Sequence, residues 1–297
     1  MNMQSNRLLR HGILILAGLL ILLLVLSAAL APVLSPYDPD EVTLELKFAP
    51  PSMAHPLGCD HLGRDVASRL IYGARTSLGC VAVIAGLILV LGFTVGATAG
   101  YMGGTVDSIL MRICDVFLTF PTFILAMFMI GVLGTGIVNV ILAISLTHWA
   151  WYARIIRSFV LSLKNREYVL AARVAGTGRF MTVLRHVLPP VFAQLAILAT
   201  LDIGHMMMHV SGLSFLGLGI TPPTPEWGVM IADGRQFVWT HPELILYPGL
   251  AIFLTVMAFN ILGDGLRDAL DPHTQTSSSP EDTLAEPARM AAITEGL

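Results

Sequence analysis

From Gly12 to Leu34 the chain runs for 23 residues without a charged side chain, and a second uncharged run extends from Thr76 to Tyr101. About 20 helical residues cross the hydrocarbon core of a bilayer, so either run is long enough to span one. Lipid offers the backbone no hydrogen-bond partner, which confines such runs to helices. They are not isolated: 55% of the 297 residues are hydrophobic, only 12% are charged, and mean hydropathy is +0.75. A soluble domain carries about 25% charged residues. The expectation is an all-α polytopic membrane protein with six transmembrane helices, near residues 12–34, 76–101, 113–136, 137–154, 188–210 and 244–262.

Arg7 and Arg10 ahead of the first run also suit a secretory signal, with Ala29-Leu30-Ala31 as its cleavage site. The run is longer than the apolar region of such a signal, and the chain after it is itself membranous, which favours an uncleaved span. Residues 35–75 are rich in proline and glycine turns and read as an external loop. Gly92, Gly96 and Gly100 recur every four residues, a stripe that lets helices approach closely in lipid. Pro121 should kink the third span, because it removes a backbone donor and crowds the preceding turn. Trp149, Trp151 and Tyr152 suit an interfacial anchor at the end of the fourth. The three cysteines, Cys59, Cys80 and Cys114, form no disulfide framework or CxxC knuckle and read as small buried thiols. A net charge of −3 gives no reason to expect nucleic acid.

Seven of the 17 Lys and Arg fall between Arg154 and Pro189. Cations near membrane spans concentrate on the cytoplasmic side, so this segment is expected there, with both termini. That topology puts twelve Lys and Arg inside and five outside.

Within the basic segment, Ala171-Ala172, Gly176 and Leu188-Pro189 stand at the spacing of the EAA loop, and the segment resembles that loop of ABC-importer permeases. The chain departs from the pattern at Leu170, where the glutamate belongs, and at His186, where isoleucine belongs; the nearest acid is Glu167, one turn earlier. Small side chains at Ala171 and Ala172 suit a helix pressed against a partner, Gly176 a sharp turn, and Pro189 the first turn of the next helix. Other stretches are similar to the dipeptide, oligopeptide and nickel permeases: HPLGCDHLGRD from His55, the Asp107 to Pro121 region, SFLGLG from Ser214, and GDGLRDALDP from Gly263. His55, Cys59, Asp60 and His61 could be imagined as a metal site, but the first of these stretches occurs across the family whatever the cargo, which favours a structural role.

The resemblance implies an ABC type I importer permease fold. Residues 1–75 would hold the N-terminal helix and external loop, 76–272 a core of five transmembrane helices with the coupling loop 154–189, and 273–297 a disordered cytoplasmic tail. It further implies a multi-pass subunit of the bacterial inner membrane, paired with a homologous second permease, two cytoplasmic ABC ATPases and an external substrate-binding protein. Glu167, Ala171, Ala172, Gly176, Leu188 and Pro189 would couple it to the ATPases. The sequence has no GxxxxGK[ST] loop, so ATP and magnesium would be bound by those partners, and the chain would carry no catalytic residue or cofactor.

Asp202, His205, Met206 and His209 are spaced i, i+3, i+4 and i+7 in the fifth span and share a helical stripe. Ionisable groups inside a span are costly and tend to face a pathway or bundle interior. Imidazole suits nickel, copper and zinc, with carboxylate a harder and thioether a softer auxiliary. His205 and His209 are therefore the candidate metal contacts, and the four residues the candidate substrate pathway. Together with the His148 to Arg154 stretch they are most similar to the nickel permeases of the family, which implies nickel, free or chelated, as cargo. A di- or oligopeptide importer is the alternative.

Overall fold

The computed structural model of the chain describes residues 3–270, with side chains described from residue 11 onward except those of Arg179 and Phe180. The expected tail, 273–297, lies outside the described residues. The helices in chain order are α1 (Met3–Ala29), α2 (Ala31–Leu34), α3 (Val66–Met102), α4 (Gly104–Thr119), α5 (Thr122–Leu133), α6 (Ile137–Lys164), α7 (Glu167–Val174), α8 (Arg179–Thr182), α9 (Leu188–Phe215), α10 (Trp227–Gly234) and α11 (Glu243–Leu270). A π-turn, Val183–Val187, leads into α9. Among the described residues there is no strand, only an isolated antiparallel bridge between Cys59 and Asp65.

Among the described residues four stretches are long and apolar enough to cross a membrane: His11–Ala29 of α1, α3, Val183–Phe215, and α11. Helices α4 and α5 qualify together as a fifth, bent by 85°. Helix α6 is not among them; its C-terminal half carries Arg154, Arg157 and Lys164.

Two boundaries differ from the sequence expectation. Pro121 does not merely kink a helix. Phe120 adopts an extended conformation, φ −99° and ψ 141°, and the chain starts again at Thr122. The residue before a proline is pushed out of the helical region by the pyrrolidine ring, which accounts for the break. Helix α3 begins at Val66, ten residues before the uncharged run. Its N-cap is Asp65, whose carboxylate accepts from the backbone N–H of Ser68 at 2.7 Å.

Helix α3 packs along α6 over most of its length, and the glycine stripe makes this possible. A Cβ built on Gly92 would lie 2.5 Å from the Cβ of Tyr152, and one on Gly96 2.4 Å from the carbonyl of Ala153. Van der Waals packing of this kind is the main source of helix association in lipid, where burial gains little. Helix α9 lies against α11 and α3, and Ile84 and Ile88 of α3, Ile144 of α6 and Met207 and Val210 of α9 are buried in one hydrophobic core.

The polar loop before α3 is tied down by charge. Arg64 donates to Asp60 at 2.6 Å and to Asp233 in the last turn of α10 at 2.9 Å, and Arg69 donates to the carbonyl of Pro39 at 2.9 Å. Glu226, fully buried, caps α10 by accepting from the N–H of Val229 at 2.9 Å and also accepts from Ser77 and Ser211. Buried charge is tolerated only where it is paired or hydrogen-bonded, as it is here.

Candidate functional site

Helix α9 starts on Leu188 with prolines at its first turn, where a missing backbone donor costs nothing, and runs for 28 residues. Three residues of its expected stripe share one cavity wall. Asp202, His205 and His209, with Leu198 and Leu201, face His148 and Trp151 of α6 across a cavity of about 350 Å³. Met206 departs from them. One residue past His205, it is rotated by about 100°, and it is only 1% exposed in the core.

Asp202 is the centre of the polar contacts. Its Oδ2 lies 2.9 Å from Nε2 of His148 and accepts the Tyr152 hydroxyl at 3.1 Å. Its Oδ1 faces Nδ1 of His205 at 3.4 Å, and the His205 side chain is 78% exposed. The ring of His209 stacks on Phe123 at 5.7 Å and stands 6.2 Å from the ring of His148. The remaining nitrogen of His148, Nδ1, is buried and has no hydrogen-bond partner among the described residues. Three imidazoles and a carboxylate around one cavity form a donor set suited to late first-row divalent cations. The Asp202–His148 contact has the form by which a carboxylate orients an imidazole for such a ligand.

Sequence reasoning placed Tyr152 with the interfacial aromatics and counted His148 only in the stretch similar to nickel permeases, so neither was among the expected pathway residues. The signal that could have found them is local: His148, Trp151 and Tyr152 are spaced i, i+3 and i+4, a polar and aromatic face inside a helix.

The expected coupling residues form a separate unit. Glu167 opens α7, Ala171 is exposed, Ala172 is half-buried, and Val169 is the buried contact of the helix. The turn after it is a Schellman motif: Thr177 donates to the carbonyl of Ala172 and Gly176 to that of Arg173, both at 3.0 Å. Gly176 has φ +87°, a left-handed conformation that side-chain-bearing residues adopt only with strain. Leu188 and Pro189 lie at the start of α9, away from this turn in sequence. At the basic end of α6, Arg154 pairs with Asp115 at 2.7 Å and Arg157 with Asp107 at 2.6 Å, fastening it to α4.

In the loop before α3, His55 and Cys59 lie beside Asp65, whereas Asp60 is engaged by Arg64 and His61 stacks on Phe237 at 5.4 Å. Burial, and then the carboxylates of Asp65 and Asp60, push the Cys59 thiol above its ordinary pKa.

Residues 92–276 match the family described as binding-protein-dependent transport system inner membrane component, and residues 5–51 the N-terminal TM domain of oligopeptide transport permease C. The chain is 54% identical over 261 residues to the nickel transport system permease protein NikC of Escherichia coli (strain K12), covering 88% of this chain and 94% of that protein. It is 41% identical over 261 residues to the metal-staphylopine import system permease protein CntC of Staphylococcus aureus, covering 88% and 90%. With the di/tripeptide transport system permease protein DppC of Pseudomonas aeruginosa it shares 40% identity over 272 residues, 89% of each. Matched in this way from its first helix to its last, this helical chain belongs to the inner-membrane permeases of binding-protein-dependent ABC importers.

Proposed function

We propose that the chain forms part of the translocation pathway of a nickel importer, working with a homologous second permease subunit, two cytoplasmic ABC ATPases that bind ATP and magnesium, and an external substrate-binding protein. The observation that carries this reading is the α6–α9 cavity, where His148, His205, His209 and Asp202 converge. Nickel, free or chelated, would meet imidazoles that are its preferred nitrogen donors. The contacts would be few and weak, as passage requires. The 54% identity to a nickel permease, against 40% to a dipeptide permease, supports the same cargo.

The mechanism is alternating access. ATP-driven closure of the ATPases would push on α7 through Glu167, Ala171 and Ala172, and Gly176, Leu188 and Pro189 would pass that movement to α9. Rocking of the α9 side against α6 would open the cavity to one side of the membrane and then the other. In this reading α6 and the bent α4–α5 pair complete six spans, and both termini lie in the cytoplasm. The excess of Lys and Arg in the segments then inside supports that orientation.

A di- or oligopeptide cargo is the second reading, favoured by the apolar wall that Trp151, Leu198 and Leu201 give the same cavity. The two are separated by uptake in cells lacking their own nickel and peptide importers, complemented with the whole transporter. Accumulation of radioactive nickel is expected; accumulation of a labelled dipeptide without nickel would replace nickel by peptide.

A further inference from the structure

The loop before α3 brings together three metal-binding side chains that the pathway does not use. Gly58 makes this possible: at φ +73° it turns the chain where an added Cβ would lie 2.6 Å from the carbonyl of Ala49. The bridge between Cys59 and Asp65 then sets these two residues side by side, and the N–H of Gly58 donates to the carbonyl of His55 at 2.9 Å, closing the turn. One ligand atom from each of His55, Cys59 and Asp65 lies within 4.8 Å of the others.

The carboxylate of Asp65 is divided between two tasks. Its Oδ2 accepts the N–H and the hydroxyl of Ser68, each at 2.7 Å, and caps α3. Its Oδ1 lies 3.0 Å from Nδ1 of His55. The imidazole is fixed in orientation by Tyr37, stacked 4.7 Å away. A cleft of about 120 Å³ opens beside these groups, with His55 and Asp65 in its wall and Asp38 and Glu41 around it. A cation arriving from solvent meets negative charge on its way to His55 and Asp65.

We propose that His55, Cys59 and Asp65 form a binding site for a late first-row divalent cation of the zinc or nickel type, separate from the α6–α9 cavity. Thiolate and imidazole select such ions over magnesium and calcium, which prefer all-oxygen ligand sets. Binding exchanges the His55–Asp65 hydrogen bond for bonds to the metal and sends the Cys59 thiol proton to solvent. Three protein ligands leave a further position for water or for a donor carried by another molecule, the form of a site that exchanges its metal rather than locking it in. The bound ion would pin residues 55–59 to the first turn of α3. The site does not depend on the cargo, and a peptide importer could carry it as well.

Cobalt titration of the purified, chelator-stripped whole transporter tests it. The expected result is a thiolate-to-cobalt charge-transfer band that saturates, is removed by zinc and survives excess magnesium. The band should vanish in Cys59→Ser and persist in Cys80→Ser, whose thiol is buried within α3. His55→Gln should weaken cobalt binding by at least about tenfold, which keeps the test decisive if Cys59→Ser fails to assemble. No band in the unaltered transporter, a band unchanged in Cys59→Ser, or unchanged affinity in His55→Gln would each overturn the assignment.

Discussion

Helix α6 meets α3 and α9 along two seams of opposite chemistry. Against α3 it presents Tyr152, Ala153 and Ile156 to Gly92 and Gly96, with no room for even one more carbon atom. Against α9 it presents His148 and Trp151 across an open cavity to Asp202 and His209. Tyr152 belongs to both, its Cβ wedged over Gly92 and its hydroxyl donating to Asp202 at 3.1 Å. In lipid the first seam gains stability from close contact alone. The second forgoes such contact and pays for ionisable groups inside the bundle, a cost kept where a pathway needs them. The contrast teaches where movement is to be expected: α3 and α6 travel as one body, and the α6–α9 seam opens.

The strongest way to break the comparison is to crowd the tight seam. Gly96→Leu should destabilise the chain by about 3 kcal/mol or more, the upper range for overpacking, seen as loss of the protein from membranes and a lower melting temperature in detergent. Normal abundance and stability would mean that the α3–α6 contact is not the fixed one. A smaller effect is expected at the coupling turn. Gly176→Val forces a β-branched residue into φ +87°, at a cost of about 1–2 kcal/mol. It should leave insertion intact while ATP hydrolysis continues with reduced uptake, and normal uptake at a normal ratio to hydrolysis would remove α7 from the coupling path. The smallest effect sharpens the open seam from within. Met206→Leu, a near volume-conserving change in the core, should cost less than about 1.5 kcal/mol and leave transport unchanged, whereas His205→Ala, at the exposed rim, should lower uptake without touching stability. Equal effects of the two would restore Met206 to the pathway.

Much of this division could be read before any coordinates. The glycine stripe at 92, 96 and 100 announced a close helix contact because only a missing side chain has that consequence, although not that α6 would be the partner. The spacing of 202, 205 and 209 announced a shared face. What stayed hidden was decided at long range. His148 and Asp202 are 54 residues apart, so their pairing exists only once α6 and α9 are packed. Met206 shared the stripe by spacing, yet the angular spread between positions i+3 and i+4 was enough to send it into the core. Helix α3 starts early because Asp65 caps it and because Arg69 donates to the carbonyl of Pro39, partners that no run of hydropathy reveals. The loop residues show the same limit: Asp60 and His61 were the nearer neighbours in sequence, but Arg64 and Phe237 engage them, and Asp65 takes their place beside His55 and Cys59.

The central claim is that cargo passes the polar side of the α6–α9 seam, and Asp202→Asn tests it most directly. The change keeps the shape of the side chain, removes the charge that faces His148 and His205, and leaves the α3–α6 contact untouched. Radioactive nickel uptake by the whole transporter, measured beside its abundance and its ATPase activity, should fall by about tenfold, the effect of losing a partner that orients a metal-facing imidazole, while the protein remains in the membrane. Unchanged uptake at unchanged abundance would contradict the account and leave the seam a place of packing only.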